Sequence, residues 1–183
     1  NGNGIVEYAN GDVYDGEFKE DQRAGQGTFL GSDGYKYLGE WAEGQIQGAG
    51  EVTYPDGSFY AGNFVNGLAS GAGKIKYPDG SVYEGEWKAG VIEGIGRAQY
   101  SNGVVYEGGF KNARNHGFGI MDYGNGYIYE GDWKDGNRHG IGMSKFADGM
   151  VYEGDYLNGK RHGVGKIILA DGFRYEGEWL AGE

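Results

Sequence analysis

Apolar and polar positions alternate along this chain with a period of two. From Gly71, the residues Gly71, Gly73, Ile75 and Tyr77 fall on one side, and Ala72, Lys74 and Lys76 on the other. After a short break the alternation resumes, with Tyr83, Gly85 and Trp87 on one side and Glu84, Glu86 and Lys88 on the other. Successive side chains of a strand point to opposite faces, so both segments predict β-strands with one apolar and one charged face. Between them stands Pro78-Asp79-Gly80. Pro presets φ at the first turn position and Gly accepts the positive φ of a type I turn with a bulge, so this end predicts a tight turn. Ala89 to Glu93 predict a longer connection to the next strand. No stretch has a helical period, and the pattern predicts hairpin after hairpin in an antiparallel meander.

The same pattern returns at a fixed interval. Tyr14, Tyr37, Tyr60, Tyr83, Tyr106, Tyr129, Tyr152 and Tyr175 are each 23 residues apart, with Gly two residues later and an aromatic four later. Gly-x-Gly keeps this period from Gly2/Gly4 and Gly25/Gly27 to Gly163/Gly165, as does Asp-Gly or Asn-Gly from Asn10-Gly11 to Asp171-Gly172. Such a period marks a repeat architecture. Glycine inside a strand costs stability, and its recurrence predicts sockets of bare backbone covered by Tyr and Trp rings. One hairpin cannot bury its apolar face, so stability is expected to come from contacts between neighbouring units. At about 4.8 Å per strand, eight hairpins predict a stack of roughly 75 Å.

Composition sharpens this picture. Gly numbers 41 and Pro 2, yet 16 Tyr, 8 Phe and 4 Trp are far more aromatic residues than disordered chains carry. The net charge of −11 repels phosphate backbones and disfavours bulk nucleic-acid binding. Without Cys, neither disulfides nor a Cys-based zinc site can form. The longest notable apolar run, Ile167 to Ala170, is too short to cross a bilayer, and the first residues lack a charged-then-apolar leader pattern.

The Tyr-x-Gly-x-Trp, Gly-x-Gly and Asp-Gly pattern at this spacing resembles the MORN (membrane occupation and recognition nexus) repeat family over the whole chain. The resemblance implies an all-β fold, an elongated single-layer antiparallel meander of about eight stacked hairpins forming a rod or trough. It implies one repeat domain over residues 1–183. It also implies a non-catalytic scaffold or tether in the cytoplasm, at the cytoskeleton or membrane periphery, that binds a protein or peptide partner or homodimerises. No cofactor is expected. The alternatives are a peripheral module binding acidic phospholipid headgroups, or the targeting arm of an enzyme. Tyr156 stands for the usual Trp or Phe, Gly109 for an acid, and Asp21 and Ala113 for a loop Gly. The first and last residues, Gly2/Gly4 and Gly182-Glu183, stand in nearly the same phase, which predicts unpaired terminal strands and a piece of a longer chain.

Candidate sites follow from the repeat. Tyr37, Trp41, Tyr60, Phe64, Tyr83, Trp87, Tyr106, Phe110, Tyr129 and Trp133 form an aromatic column that, in a single layer, is expected to be partly open and to serve as a partner-binding groove. Bases lean to the second half: the net charge is −8 over residues 1–92 and −3 over 93–183, and Lys134, Arg138, Lys160, Arg161 and Lys166 form the candidate lipid-headgroup patch. His116, His139 and His162 share one repeat position about 10 Å apart, too far for one metal ion. The column Glu84, Glu107, Glu130, Glu153 and Glu176 predicts a solvated face and not a catalytic carboxylate pair, which needs unlike environments. Gly-x-Gly lacks the following helix of a phosphate-binding fingerprint.

Overall fold

The computed structural model describes residues 1–182, and among these it contains β-strands and no helix. The chain divides into two compact units, Asn1–Val91 and Ile92–Glu183. The first holds β1 (Gly2–Glu7), β2 (Val13–Lys19), β3 (Gln22–Leu30), β4 (Lys36–Ala42), β5 (Gln45–Thr53), β6 (Phe59–Val65), β7 (Leu68–Lys76) and β8 (Val82–Lys88). The second holds β9 (Val91–Gln99) from its second residue on, with β10 (Val105–Lys111), β11 (Arg114–Asp122), β12 (Ile128–Lys134), β13 (Asn137–Lys145), β14 (Val151–Leu157), β15 (Lys160–Ile168) and β16 (Arg174–Trp179). Within each unit every strand pairs antiparallel with its neighbour in the chain, which is the predicted meander.

The two ends of the hairpins are the reverse of what the sequence pattern suggests. The short connection is the one after the Tyr-x-Gly-x-aromatic strand. Only Asn66 and Gly67 separate β6 from β7, and only Asp135 and Gly136 separate β12 from β13. Their φ values are 51° and 78°, and 50° and 88°, positive at both positions as a type I′ turn requires. Asp21 and Ala113 hold the second position at φ 61° and 58° without being Gly, at a cost of about 1 kcal/mol each. The Pro78-Asp79-Gly80 end is the longer loop, running from Tyr77 to Ser81. Its type I turn and bulge are as predicted: the Gly80 N–H donates to the Tyr77 carbonyl (3.0 Å), the Tyr77 N–H to the Ser81 carbonyl (2.8 Å), and Gly80 has φ 89°.

Val91 to Glu93, for which the sequence pattern predicts a connection, are strand residues of β9. The Gly-x-Gly strands β3, β5, β7, β11, β13 and β15 each carry a bulge against the strand before them. Gly62 pairs with Gly73 but Phe64 with Ala69, so Asn63 faces Ser70, Gly71 and Ala72 together. A bulge inserts unpaired residues and increases local twist, and here it brings Ala69 to the same face as Phe64.

One face of each unit is a column of packed rings. Tyr37 covers Gly50: a Cβ added there would lie 2.6 Å from Tyr37 Cε2 and 2.7 Å from Cζ. Tyr37 Oη donates to the Glu40 carbonyl at 2.8 Å, and the same bond recurs from Tyr60 to Asn63, Tyr129 to Asp132 and Tyr152 to Asp155. Within a unit a Tyr ring meets its own strand's aromatic edge-on and then that of the next hairpin. In the first unit Tyr37 lies 5.3 Å from Trp41 and 5.5 Å from Phe64, and in the second Tyr129 lies 5.1 Å from both Trp133 and Tyr156. Such T-shaped pairs contribute about 1 kcal/mol each beyond the area they bury. Trp41, Trp87, Trp133 and Trp179 donate Nε1–H to the carbonyls of Gly27, Gly73, Gly119 and Gly165, so no indole nitrogen is left unpaired.

Neighbouring hairpins are also tied through their turns. The Gly67 N–H donates to the Ile46 carbonyl and the Gly159 N–H to the Arg138 carbonyl, both at 2.9 Å. Tyr152 is fully buried beneath the hairpin that follows it, whereas Tyr175, with no described hairpin beyond it, is 43% exposed. The core of this fold lies between repeats, as nearest-neighbour stabilisation requires.

Candidate interaction surface

All ten residues of the predicted groove lie on the ring face, and all ten are buried, from 0% exposed at Tyr37, Tyr60, Tyr106 and Tyr129 to 9% at Trp87. The partly open trough expected at these rings is therefore a closed column. Edge-to-face packing within each unit, on rings of the same strand and of neighbouring hairpins, covers them, so a single layer buries its own aromatic row. The burial raises the phenol pKa of Tyr60 and Tyr83 to about 12, and pushes Tyr37, Tyr106 and Tyr129 further up.

What the ring face leaves accessible is a second aromatic row at the long-loop end. It comprises Tyr35, Tyr54 and Tyr77 in the first unit and Tyr100, Tyr123, Tyr127 and Phe146 in the second, mostly half-buried. Tyr35 packs edge-on to Tyr54 at 6.0 Å, and Tyr127 lies 4.7 Å from Tyr123 and 4.8 Å from Phe146. Desolvation raises the Tyr35 pKa to about 12. Two concavities open beside this row. One, of about 320 Å³, is lined by Arg23, Phe29, Tyr35, Trp41 and Ile46, with the turn residues of the neighbouring hairpins. The other, of about 500 Å³, is lined by Tyr127, Arg138, Ser144, Phe146, Tyr156 and Arg161, with Lys160 at its rim.

Arg23, Arg138 and Arg161 occupy the same repeat position. Arg23 lies 4.3 Å from the Trp41 ring centroid and donates to the Gly44 carbonyl at 2.9 Å. Arg138 donates to the Gly159 carbonyl at 2.6 Å and to the Tyr127 hydroxyl, and lies over the Tyr156 ring. Arg161 lies 4.8 Å from the Tyr152 centroid and 5.1 Å from that of Trp179. All three guanidinium groups staple one hairpin to the next through cation–π stacking, and Arg23 and Arg138 add hydrogen bonds to turn carbonyls. Of the five bases in the predicted lipid-headgroup patch, Arg138, Lys160 and Arg161 come together at the second concavity. Lys134 and Lys166 do not: Lys134 follows the ring-face Trp133, and Lys166 pairs with Glu153 and Glu176, so both point to the opposite face.

The remaining candidates separate as follows. His116 Nδ1 lies 3.5 Å from Asp135 Oδ1, whereas buried His139 Nδ1 has no hydrogen-bond partner. Among the described residues no group of three or more His, Asp or Glu is arranged to hold a metal ion. Glu84 and Glu107 form exposed ion pairs with Lys74 (3.0 Å) and Arg97 (2.8 Å), contacts that contribute little in water. A role the sequence did not reveal belongs to the acid that stands three residues after the repeat Tyr in all copies but those with Asn63 and Gly109. Glu17 Oε1 accepts the Gln26 N–H (2.9 Å), Asp132 Oδ2 the Ile141 N–H (3.2 Å) and Asp155 Oδ2 the Val164 N–H (2.9 Å). These carboxylates cap the bulge, whose amides the partner strand leaves unpaired. At Gly109 a side chain would run into the His116 carbonyl, so the one repeat without an acid or amide there has no room for it.

The MORN repeat family model matches seven successive segments, residues 14–34, 37–59, 60–82, 83–105, 106–126, 129–151 and 152–174. Comparison with curated proteins finds no match. Among solved structures, the G-box domain of the microcephaly protein CPAP is similar at 11% identity, covering 98% of this chain and 100% of that one with a TM-score of 0.53. The SAS-4 (dCPAP) TCP domain of Drosophila melanogaster, solved with a proline-rich motif of Ana2 (dSTIL), is 10% identical, covering 97% of this chain and 84% of that one with a TM-score of 0.45. At such identity a shared sheet architecture is a likeness of fold and not of function.

Proposed function

Because the chain belongs to the MORN repeat family, we propose that it is a non-catalytic scaffold whose ring face holds a protein or peptide partner. The observation that carries this reading is the half-buried aromatic row beside the closed column. A row of Tyr and Phe that recurs with each hairpin, next to concavities of about 320 and 500 Å³, gives an extended partner the same foothold at successive repeats. The column positions of the predicted groove supply rigidity beneath that surface. The exposed flanks, Tyr54 and Tyr77 in one unit and Tyr123 and Phe146 in the other, supply contact area, since large rings with two side-chain torsions lose little entropy on binding.

The test is site-specific photo-crosslinking in cells, with the reactive side chain at Tyr54 or Tyr123 on the ring face and at Leu38 on the opposite face. The expected result is a polypeptide adduct from Tyr54 and Tyr123 and none from Leu38. The adduct's segment, made as a peptide, then binds the purified chain and loses affinity at least ten-fold with Phe146→Ser or Tyr77→Ser. Adducts from Leu38 alone would overturn the proposal. So would salt-sensitive sedimentation with acidic vesicles in the absence of any peptide adduct, which would move the function to lipid.

A further inference from the structure

On the face opposite the rings, the middle residue of Gly-x-Gly points outward, and here the two units differ. In the first unit it is Asn3, Gln26, Ala49 or Ala72. In the second it includes Phe118, Ile141 and Val164, which are 58%, 67% and 60% exposed. Apolar side chains of this size on one row make a ridge of the kind that marks an interaction surface. Directly across the strands from them stand Asp132, Asp155 and Glu178. Two residues along, Ile120 and Met143 both flank Glu130, and Lys166 sits between Glu153 and Glu176. Perpendicular to the strands, apolar and acidic side chains therefore alternate one strand at a time along the Gly-x-Gly row, and along the next row as far as Glu153, where Lys166 takes the apolar place.

From this alternation we infer that the outer face of the second unit docks an amphipathic helix of a partner protein that presents apolar and basic side chains in turn along a single stripe. The spacing selects a helix. Adjacent strands are about 4.8 Å apart, so like side chains recur every ~9.6 Å. A helix rises about 4.5 Å over three residues and 10.5 Å over seven, which places an apolar residue at i and i+7 and a base between them. An extended peptide, at about 3.3 Å per residue with alternate side chains turned away, does not keep this step. Charge selects the sign. The acids beside the ridge favour a basic stripe and repel both a second copy of this face and an acidic membrane surface. Asp132 and Asp155 also hold backbone amides of their neighbours, so they meet the partner as fixed charges. The inference concerns a different face from the proposed scaffold surface and stands or falls without it.

The probe is a fluorescent helical peptide of about 16 residues, long enough to pass three ridge positions, with Leu and Lys alternating at i, i+3 or i+4, and i+7. Its anisotropy is titrated with the whole chain at low and physiological salt. Binding is expected, weakened at least ten-fold by Ile141→Ser and unchanged by Ala49→Ser in the first unit. The double variant Glu130→Gln, Glu153→Gln is expected to flatten the salt dependence. Ile141 is exposed, so its variant should keep the parent's unfolding curve, and a loss of binding then reports the ridge. Equal binding of the same peptide with Glu in place of Lys, retained binding by Ile141→Ser, or no binding would each overturn the inference. A concentration-dependent mass increase that Ile141→Ser abolishes would do so as well, by assigning the ridge to a second copy.

Discussion

Replacing Gly50 by Ala tests whether the ring column holds the fold together. Gly50 is not held at positive φ, so Ala meets no backbone penalty there, only the Tyr37 ring at 2.6–2.7 Å from the new Cβ. Tyr37 is fully buried and anchored by its hydroxyl to the Glu40 carbonyl at 2.8 Å, so it cannot move without disturbing its edge-to-face contacts with Trp41 and Phe64. Overpacking of this kind costs about 2–3 kcal/mol. The control is Gly67→Ala, where φ is 78° and nothing lies within 4 Å: only backbone strain of about 1 kcal/mol applies. Urea unfolding followed by circular dichroism gives the difference, and hydrogen exchange in β4 and β5 shows whether the loss is local. The decisive comparison is a double-mutant cycle with Tyr37→Leu. With the ring removed, Gly50→Ala should cost little or become stabilising, because Gly is the weaker strand former. An equal cost in both backgrounds, or a smaller cost than that of Gly67→Ala, would refute the socket.

Further outcomes follow from the same geometry. Tyr129→Phe should lower stability by about 1 kcal/mol, since it strands the Asp132 carbonyl that the hydroxyl now meets at 2.9 Å; the urea midpoint measures this. Arg138→Met should speed hydrogen exchange in β14 and β15 by losing the tie to the Gly159 carbonyl, whereas Lys134→Met on the opposite face should not. Asp155→Ala should destabilise by about 0.5–1 kcal/mol and Asp155→Asn by less, because the amide oxygen can still accept the Val164 N–H. Stability should also fall at alkaline pH. Burial raises Tyr60, Tyr83 and Tyr152 from 10.0 to about 12, so their contribution is complete below pH 10 and is lost as pH rises toward 12, where the unfolded chain releases phenolic protons that the folded one retains. Midpoints that stay level between neutral pH and about pH 11 would contradict this.

The parts of the fold legible in the sequence are those fixed by local chemistry. Tyr83, Gly85 and Trp87 share a face because strands have period two, and Pro78-Asp79-Gly80 turns because Pro and Gly each allow what a type I turn with a bulge needs. The other turn was hidden because the Asn-Gly and Asp-Gly pairs that favour it, Asn66-Gly67, Asp135-Gly136 and Asn158-Gly159, alternate with Glu43 and Ala89 at the same first position, which do not. Glu43, Asn66, Ala89 and Asp135 all adopt φ near 50° under the pull of the flanking strands. Val91 to Glu93 were hidden because Gly94, which follows them at φ 100°, reads as the end of a strand, although Ile92, Gly94 and Gly96 keep the alternation. The closure of the ring column was hidden for a different reason. Whether Tyr106 or Tyr129 is covered depends on rings 23 or more residues away, and no local pattern reports that distance.

This division between local and neighbour-dependent information bears on where function lies in such a sheet. Positions that repeat without change, the Tyr, its two glycines and the ring after them, are consumed by packing between hairpins and can discriminate among partners only by holding other residues still. Discrimination therefore falls to positions that keep their place in the repeat while changing chemistry. The position of Arg23 is Ile46, Ala69, Ile92 and Asn115 in the following repeats before it is Arg again at Arg138 and Arg161. The middle of Gly-x-Gly passes from Asn3, Gln26, Ala49 and Ala72 to Phe118, Ile141 and Val164. Neither change is required by the hydrogen-bond ladder, which pairs Ala72 with Glu86 in the same register as Ile141 with Asp155. Because an exposed Ile or Phe adds nothing to this core and carries a cost in solubility, a row of them beside fixed carboxylates is best accounted for by what it binds.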